Sequence, residues 1–171
     1  IDALRELENE NAGPLAGLVL DLRNNPGGVL NASVDVSNVF LDKGLIVYTE
    51  GRIDSAKMRF EAKRGDLLKG RPLVILVNEG SASASEIVAG ALQDHGRALV
   101  VGRTTFGKGS VQTLLPINNG AAIKLTTALY YTPSGRSIQA EGIKPDIIID
   151  RVNVERVDTS SFGLRTEASL E

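Results

Sequence analysis

Leu73-Val74-Ile75-Leu76-Val77-Asn78-Glu79-Gly80-Ser81-Ala82-Ser83-Ala84-Ser85-Glu86-Ile87-Val88-Ala89-Gly90-Ala91-Leu92 decides the fold. Its first five residues form a continuous apolar run of strand length, which reads as a strand buried on both faces. Small and polar residues then make a turn. Ile87, Val88, Ala91 and Leu92 recur at helical spacing, giving a helix over 85–94 with those residues on its buried side. A strand that turns directly into a helix is the repeating unit of an α/β domain.

The same alternation extends in both directions. Residues 98–101 read as the next buried strand. Upstream, 17–22 is a short apolar strand, Asn24-Asn25-Pro26-Gly27-Gly28 is a strong turn signal, and Val29, Ala32, Val36, Val39 and Phe40 set a helix over about 29–41. Residues 3–10 are helical, with Leu4 and Leu7 on one face. Residues 45–48 and 58–62 read as a hairpin, and 111–117 and 121–130 flank the hairpin turn Asn118-Asn119-Gly120. Pro133-Ser134-Gly135 is a further turn, and Lys144-Pro145-Asp146 precedes a last apolar stretch over 147–149. The expected fold is an α/β domain over 1–150: a largely parallel sheet with flanking helices and antiparallel hairpins. Residues 151–171 read as a polar, unpatterned tail. In such a sheet ligands lie beyond the carboxyl ends of the strands. The Pro26-Gly27-Gly28 loop, the turn from Ser81 to Ser85 and the loop from Arg103 to Gly109 all follow strands and fall at that pole. His95 follows a helix and falls at the other.

Composition narrows the chemistry. The 171 residues are 42% hydrophobic, enough for one globular core, and no apolar run approaches the length of a membrane span. A net charge of −2, with Lys and Arg scattered, and an aromatic content of 4% exclude a nucleic-acid surface with stacking platforms. No signal peptide is visible, and a chain that opens at Ile1 inside a helical pattern reads as a piece of something longer. Zero cysteines exclude disulfides and thiol chemistry, and a single histidine nearly excludes the commoner nucleophile pairings. No metal or cofactor is implied.

A hydroxyl and an amine together make a nucleophile and its base without histidine. Ser83, at the mouth of the helix, faces free backbone amides and the positive end of the helix dipole, a field that stabilises a neighbouring oxyanion. Ser83-Ala84-Ser85-Glu86 also fits a capping box, the plain structural reading. Ser81 and Ser85 are rivals that spacing alone does not separate from Ser83. Lys108 stands between Gly107 and Gly109. An ordinary lysine amine loses its proton about three units above pH 7, and burial against apolar walls closes such a gap. Phe106, and the lack of any acidic residue between Asp94 and Glu141, permit that burial. Gly102 to Lys108 nearly matches a phosphate-binding loop, but Gly109 and a strand follow where Ser or Thr and a helix are needed. Gln112 reads as an exposed strand residue or as an uncharged holder of the lysine amine, provided Gly109 bends the chain. Gly27 and Gly28 read as a tight turn or as donors of a backbone amide to an oxyanion. His95, beside Asp94, reads as a helix C-terminal cation.

The stretches Leu20-Asp21-Leu22-Arg23-Asn24-Asn25-Pro26-Gly27-Gly28, Val77 to Ile87, and Phe106-Gly107-Lys108-Gly109 with Val111-Gln112 resemble the C-terminal processing (tail-specific) serine peptidases over residues 14–150. The resemblance implies a core related to the crotonase and Clp protease folds. It places the nucleophile at Ser83, the general base at Lys108, the supporting glutamine at Gln112, and the oxyanion hole at the backbone amides of Gly28, or Gly27, and Ala84. It implies polypeptide substrates engaged through their C-termini, a PDZ domain in the longer chain, room for a homo-oligomer, and a periplasmic, cell-envelope or thylakoid-lumen home. The PDZ domain and N-terminal elements of the core are expected to lie outside this chain, which bears on whether this stretch is active alone. The alternative from another class is a non-catalytic peptide-binding module with the same groove.

Overall fold

The computed structural model describes residues 1–63 and 65–150; the tail expected over 151–171 lies outside them. In chain order the elements are α1 (Asp2–Glu10), β1 (Leu18–Asp21), α2 (Leu30–Asn38), β2 (Gly44–Gly51), β3 (Arg59–Ala62), β4 (Leu73–Val77), α3 (Ala84–Asp94), β5 (Leu99–Gly102), β6 (Ser110–Pro116), β7 (Ala122–Tyr131) and β8 (Ile147–Ile148).

The strands divide into two four-stranded sheets. One, ordered β1-β4-β5-β8, is parallel throughout; the other, ordered β3-β2-β7-β6, is antiparallel throughout. The hairpins therefore build a sheet of their own instead of extending the parallel one. The turn of the second hairpin closes as a short 3₁₀ segment, Asn118–Gly120, with the Ile117 amide bonded to the Ala121 carbonyl at 2.9 Å. Asp146 sets β8 in register: its carboxylate and amide bond the Val100 amide and carbonyl, both at 2.8 Å.

Helix α3 packs against α2, β2 and β5, and every residue from Ala84 to Leu92 is buried. Burial on all sides, rather than along one stripe, is what a helix clasped between other layers requires. Leu73, Ile75, Val77 and Val100 meet Ile87, Val88 and Leu92 in one cluster that also takes in Ile46, Val47 and Ile138 from the antiparallel side.

The expectation that β4 and β5 are buried on both faces is corrected. Val19, Val74 and Leu99 lie in one row across the sheet, and Asp21, Leu76, Val101 and Ile147 in another. Along this face Val19 is 61%, Leu99 43% and Ile147 48% exposed. A continuous apolar run marks residues fit for two covered faces, but it does not supply the second cover. No described helix is long and apolar enough to cross a membrane.

Candidate active site

Parallel pairing of β1, β4 and β5 brings the loops after all three strands to one pole. The turn after β4 is pinned from below. Ser81 is fully buried; its hydroxyl donates to the Leu22 carbonyl at 2.7 Å and accepts the Asn78 amide at 3.0 Å. The Ala82 amide bonds the Asn25 carbonyl at 3.0 Å, and Asn24 and Asn78 bond each other through both side chains. The three serines thus separate by environment. Ser81 is occupied, Ser85 is buried, and only Ser83 is part-exposed at the surface of the turn.

Ser83 caps α3 with φ 55° and ψ −113°. These are angles of a type II′ turn, a region glycine prefers and other residues occupy at a cost of about 1–3 kcal/mol. A strained residue between strand and helix lifts its hydroxyl clear of the sheet. The Ser83 hydroxyl makes no cap hydrogen bond of ordinary geometry; the strong half of the capping box is the Ser83 amide donating to Glu86 Oε2 at 2.7 Å.

The first loop lies directly against this turn. Gly27 has φ 100°, and a β-carbon on it would stand 2.6 Å from the Ala82 carbonyl oxygen, 2.8 Å from the Ala84 nitrogen and 2.9 Å from the Ser83 β-carbon. Its amide is taken by Asn25 Oδ1 at 3.0 Å. The amides of Gly28 and Ala84 have no partner among the described residues, and a β-carbon on Gly28 would meet open space. An apolar hollow of about 160 Å³ opens beside both, lined by Leu22, Val29, Ala32, Val36 and Val88.

Glu86 joins the second loop to the third. It is fully buried, and four donors converge on its carboxylate. Oε1 accepts the Thr105 hydroxyl at 2.5 Å and the Gly107 amide at 2.7 Å; Oε2 accepts the Ser83 amide at 2.7 Å and the Lys108 amide at 2.8 Å. Sharing Oε2 holds the Ser83 and Lys108 nitrogens within about 5.5 Å of each other, given ordinary bond lengths to one acceptor. The loop is held from its other side as well: the Ile143 amide donates to the Thr105 hydroxyl at 2.7 Å, the Ala140 amide to the Gly107 carbonyl at 2.9 Å, and Gln139 Oε1 accepts the Gly109 amide at 3.1 Å. Sequence reading met Glu86 only as the fourth residue of a capping box; an acidic side chain at the start of a helix that is apolar on every side was the available signal.

The main chain of Lys108 is fixed, but its side chain is exposed and its amine has no hydrogen-bond partner among the described residues. Phe106, expected to help bury it, is 68% exposed. Gln112 is also exposed, without a side-chain bond to Lys108. The irregularity in the strand pair falls at Val111/Gln112, where Thr127 on β7 is the extra residue, and not at Gly109. His95 closes the far end of α3, its Nε2 2.7 Å from the Leu45 carbonyl; an eleven-residue helix spans about 16 Å, which rules out a triad with Ser83. Lys108 leads into β6 rather than a helix, so the phosphate-loop geometry is absent here. Two ion pairs stand at the same pole, Arg103 with Glu79 and Arg23 with Asp21. The Arg23 side-chain bonds, helped by its amide, hold the Asp21 carboxyl down at about 2. Among the described residues no group of three or more His, Asp or Glu side chains is placed to hold a metal ion.

Residues 1–149 match the family model described as Peptidase family S41. The chain is 59% identical over 137 residues to a carboxy-terminal-processing protease of Bartonella bacilliformis, covering 80% of this chain and 32% of that protein. It is 44% identical over 170 residues to a carboxyl-terminal-processing protease of Synechocystis sp., covering 99% and 39%. Among solved structures, the photosystem II D1 C-terminal processing protease superposes with a TM-score of 0.77 at 39% identity, covering 86% of this chain and 38% of that one. Mature CPAF, at 16% identity and a TM-score of 0.68 over 86% and 41%, shares the fold. The chain spans about a third of the length of the curated relatives it matches.

Proposed function

The chain belongs to peptidase family S41, and from that membership we propose that residues 1–150 form the catalytic core of a serine endopeptidase that cleaves polypeptides near their C-termini. Ser83 Oγ attacks the scissile carbonyl carbon while the neutral Lys108 amine takes its proton. The amides of Gly28 and Ala84 receive the oxyanion. The tetrahedral intermediate collapses to an acyl-enzyme as Lys108 returns the proton to the leaving amine, and a water deprotonated by Lys108 releases the acyl group. Gln112 orients the lysine amine. The apolar hollow beside Gly28 takes the side chain before the scissile bond.

The observation that carries this reading is the shared bond of the Ser83 and Lys108 amides to Glu86 Oε2. It fixes two loops, 25 positions apart in sequence, so that a hydroxyl and an amine start from one point. Lys108 is open to solvent among the described residues, and a polypeptide laid over the site covers it. For the longer protein we propose a PDZ domain that captures substrate C-termini, a homo-oligomeric assembly, and a periplasmic or cell-envelope location.

The test is fluorophosphonate labelling of the longer protein, with peptide mapping. Ser83 is the expected labelled residue. Ser83→Ala abolishes labelling, and Lys108→Ala lowers the rate by about 10²–10⁴, the usual range for a lost general base. His95→Ala retains substantial activity. Labelling at Ser81 or Ser85, or full activity in Lys108→Ala, overturns the mechanism.

A further inference from the structure

Three successive main-chain amides bracket the Lys108 side chain, and each goes to a side-chain oxygen. Those of Gly107 and Lys108 go to Glu86; that of Gly109 goes to Gln139 Oε1 at 3.1 Å. Glu86 therefore fixes the peptide before Lys108, and Gln139 fixes the peptide after it. No main-chain group bonds the Lys108–Gly109 peptide among the described residues, so Gln139 is its holder. The stretch that bears Gln139 is pressed against the loop. A β-carbon on Gly109 would stand 2.3 Å from the Gln139 nitrogen and 2.8 Å from its α-carbon, and one on Gly107 would stand 3.1 Å from the Ala140 carbonyl carbon. The glycines on either side of Lys108 are what let this approach happen. The stretch is rigid in its turn. Ile138 is fully buried and its amide bonds the Tyr130 carbonyl at 3.3 Å, while the Gly142 amide bonds the Ile138 carbonyl at 3.0 Å. Ala140 holds φ 64°, a left-handed shape that a residue with a β-carbon takes at a cost. Gln139 itself is exposed, so its bond adds little to the stability of the fold.

We propose that Gln139 is a positioning residue for the reaction: its side-chain oxygen holds the peptide after Lys108, so that the lysine side chain leaves an anchored main chain toward Ser83. It acts through Lys108 and not on the substrate. The inference rests on the peptidase reading and deepens it. The role given to Gln112 concerns the lysine amine; that of Gln139 concerns the backbone beneath it. Without Gln139 the two amides on Glu86 stay bound, and the Lys108–Gly109 peptide is free to rotate. That rotation moves the root of a long side chain, and its far end moves further still. Misplacing a catalytic group by about 1 Å costs up to about a hundredfold in rate, whereas one exposed hydrogen bond is a small part of the fold's stability. Rate and stability should therefore part company at this residue.

The experiment uses the longer protein and a fluorogenic peptide substrate. Gln139→Met keeps the reach of the side chain and removes the acceptor. Its kcat is expected to fall about tenfold, with KM within about twofold of the parent and the thermal midpoint within about 2 °C. Gln139→Glu keeps an acceptor oxygen, and its kcat is expected to stay within about threefold of the parent. Hydrogen exchange reads the joint directly: the Gly109 amide exchanges about tenfold faster in Gln139→Met and near the parent rate in Gln139→Glu. An unchanged kcat in Gln139→Met overturns the proposal, as does a loss that falls on KM alone or an equal loss in the two variants. A parent protein that neither cleaves the peptide nor takes a fluorophosphonate at Ser83 defeats the peptidase reading and the proposal together. An active parent with kcat unchanged in Gln139→Met defeats the proposal alone.

Discussion

Replacing Glu86 with glutamine tests the joint between the Ser83 turn and the Lys108 loop while keeping its volume. Four donors, and no acceptor, approach the carboxylate at 2.5–2.8 Å in a site with no solvent. Glutamine offers one acceptor oxygen and one NH₂ group. With its oxygen toward Ser83 and Lys108, its NH₂ donates to the Thr105 hydroxyl and leaves the Gly107 amide facing another donor. Turned over, it sets both the Ser83 and the Lys108 amides against the NH₂. At least one amide is orphaned at about 1–3 kcal/mol, and the surviving bonds lose the roughly 1 kcal/mol each that charge assistance adds. The sum is about 3–5 kcal/mol, or roughly two to three and a half orders of magnitude in local opening. Alanine would orphan all four donors and threaten a total stability of only about 5–15 kcal/mol, so glutamine is the informative change. Two assays read it in the longer protein: hydrogen exchange at the Gly107 and Lys108 amides, and the rate at which a fluorophosphonate phosphonylates Ser83, with fluoride as the leaving group. Protection falls by about a hundredfold or more and phosphonylation slows at least tenfold, while the circular dichroism spectrum is kept. A Glu86→Gln protein with protection within threefold of the parent and an equal phosphonylation rate would refute the account of Glu86 as the joint.

The two adjacent glycines of the first loop are expected to behave differently. Gly27→Ala forces a β-carbon into the Ser83 turn at a positive φ, so fluorophosphonate labelling slows by more than about tenfold and stability falls by roughly 2 kcal/mol, whereas Gly28→Ala leaves stability within about 0.5 kcal/mol; equal thermal shifts for the two count against the geometry. Asp66 contributes to the acid limb. Burial pushes its carboxyl up, but the Arg97 guanidinium at 2.9 and 3.2 Å and the Gly70 and Leu68 amides outweigh this and hold it below the ordinary value. A carboxyl depressed in the folded state contributes stability above its unfolded value near pH 4 and loses it as the pH falls through the folded one. Denaturant midpoints are therefore expected to decline below about pH 4, and Asp66→Asn to flatten that decline; an unchanged acid slope in the variant sinks the assignment.

The course of the chain was legible because its periodicities change at real boundaries. Leu73–Val77 ran straight into a turn and then a helix, and Asn118-Asn119-Gly120 marked a hairpin that forms. What periodicity does not carry is the partner of each face. Hence the separation of the hairpins into their own sheet, and the bare row of Val19, Val74 and Leu99, came only with the structure. The convergence of three loops at one pole followed from parallel strands alone. The exposure of Lys108 and Phe106 did not, since a run without acidic residues permits burial but brings no wall. Glu86 was hidden for another reason. Three of its four bonds go to residues 19–22 positions away, and a capping box predicts only the local one.

Ser83 holds a backbone shape in which glycine is at ease and serine is not. This bears on how an inert form is best made for capturing substrates. Alanine deletes the oxygen but keeps the β-carbon, so the twist that presents a reaction-ready surface survives. Glycine deletes both, and the freed turn gains durability while drifting from the pose that chemistry demands. The alanine form is the better bait, and the glycine form the sturdier specimen for the shelf.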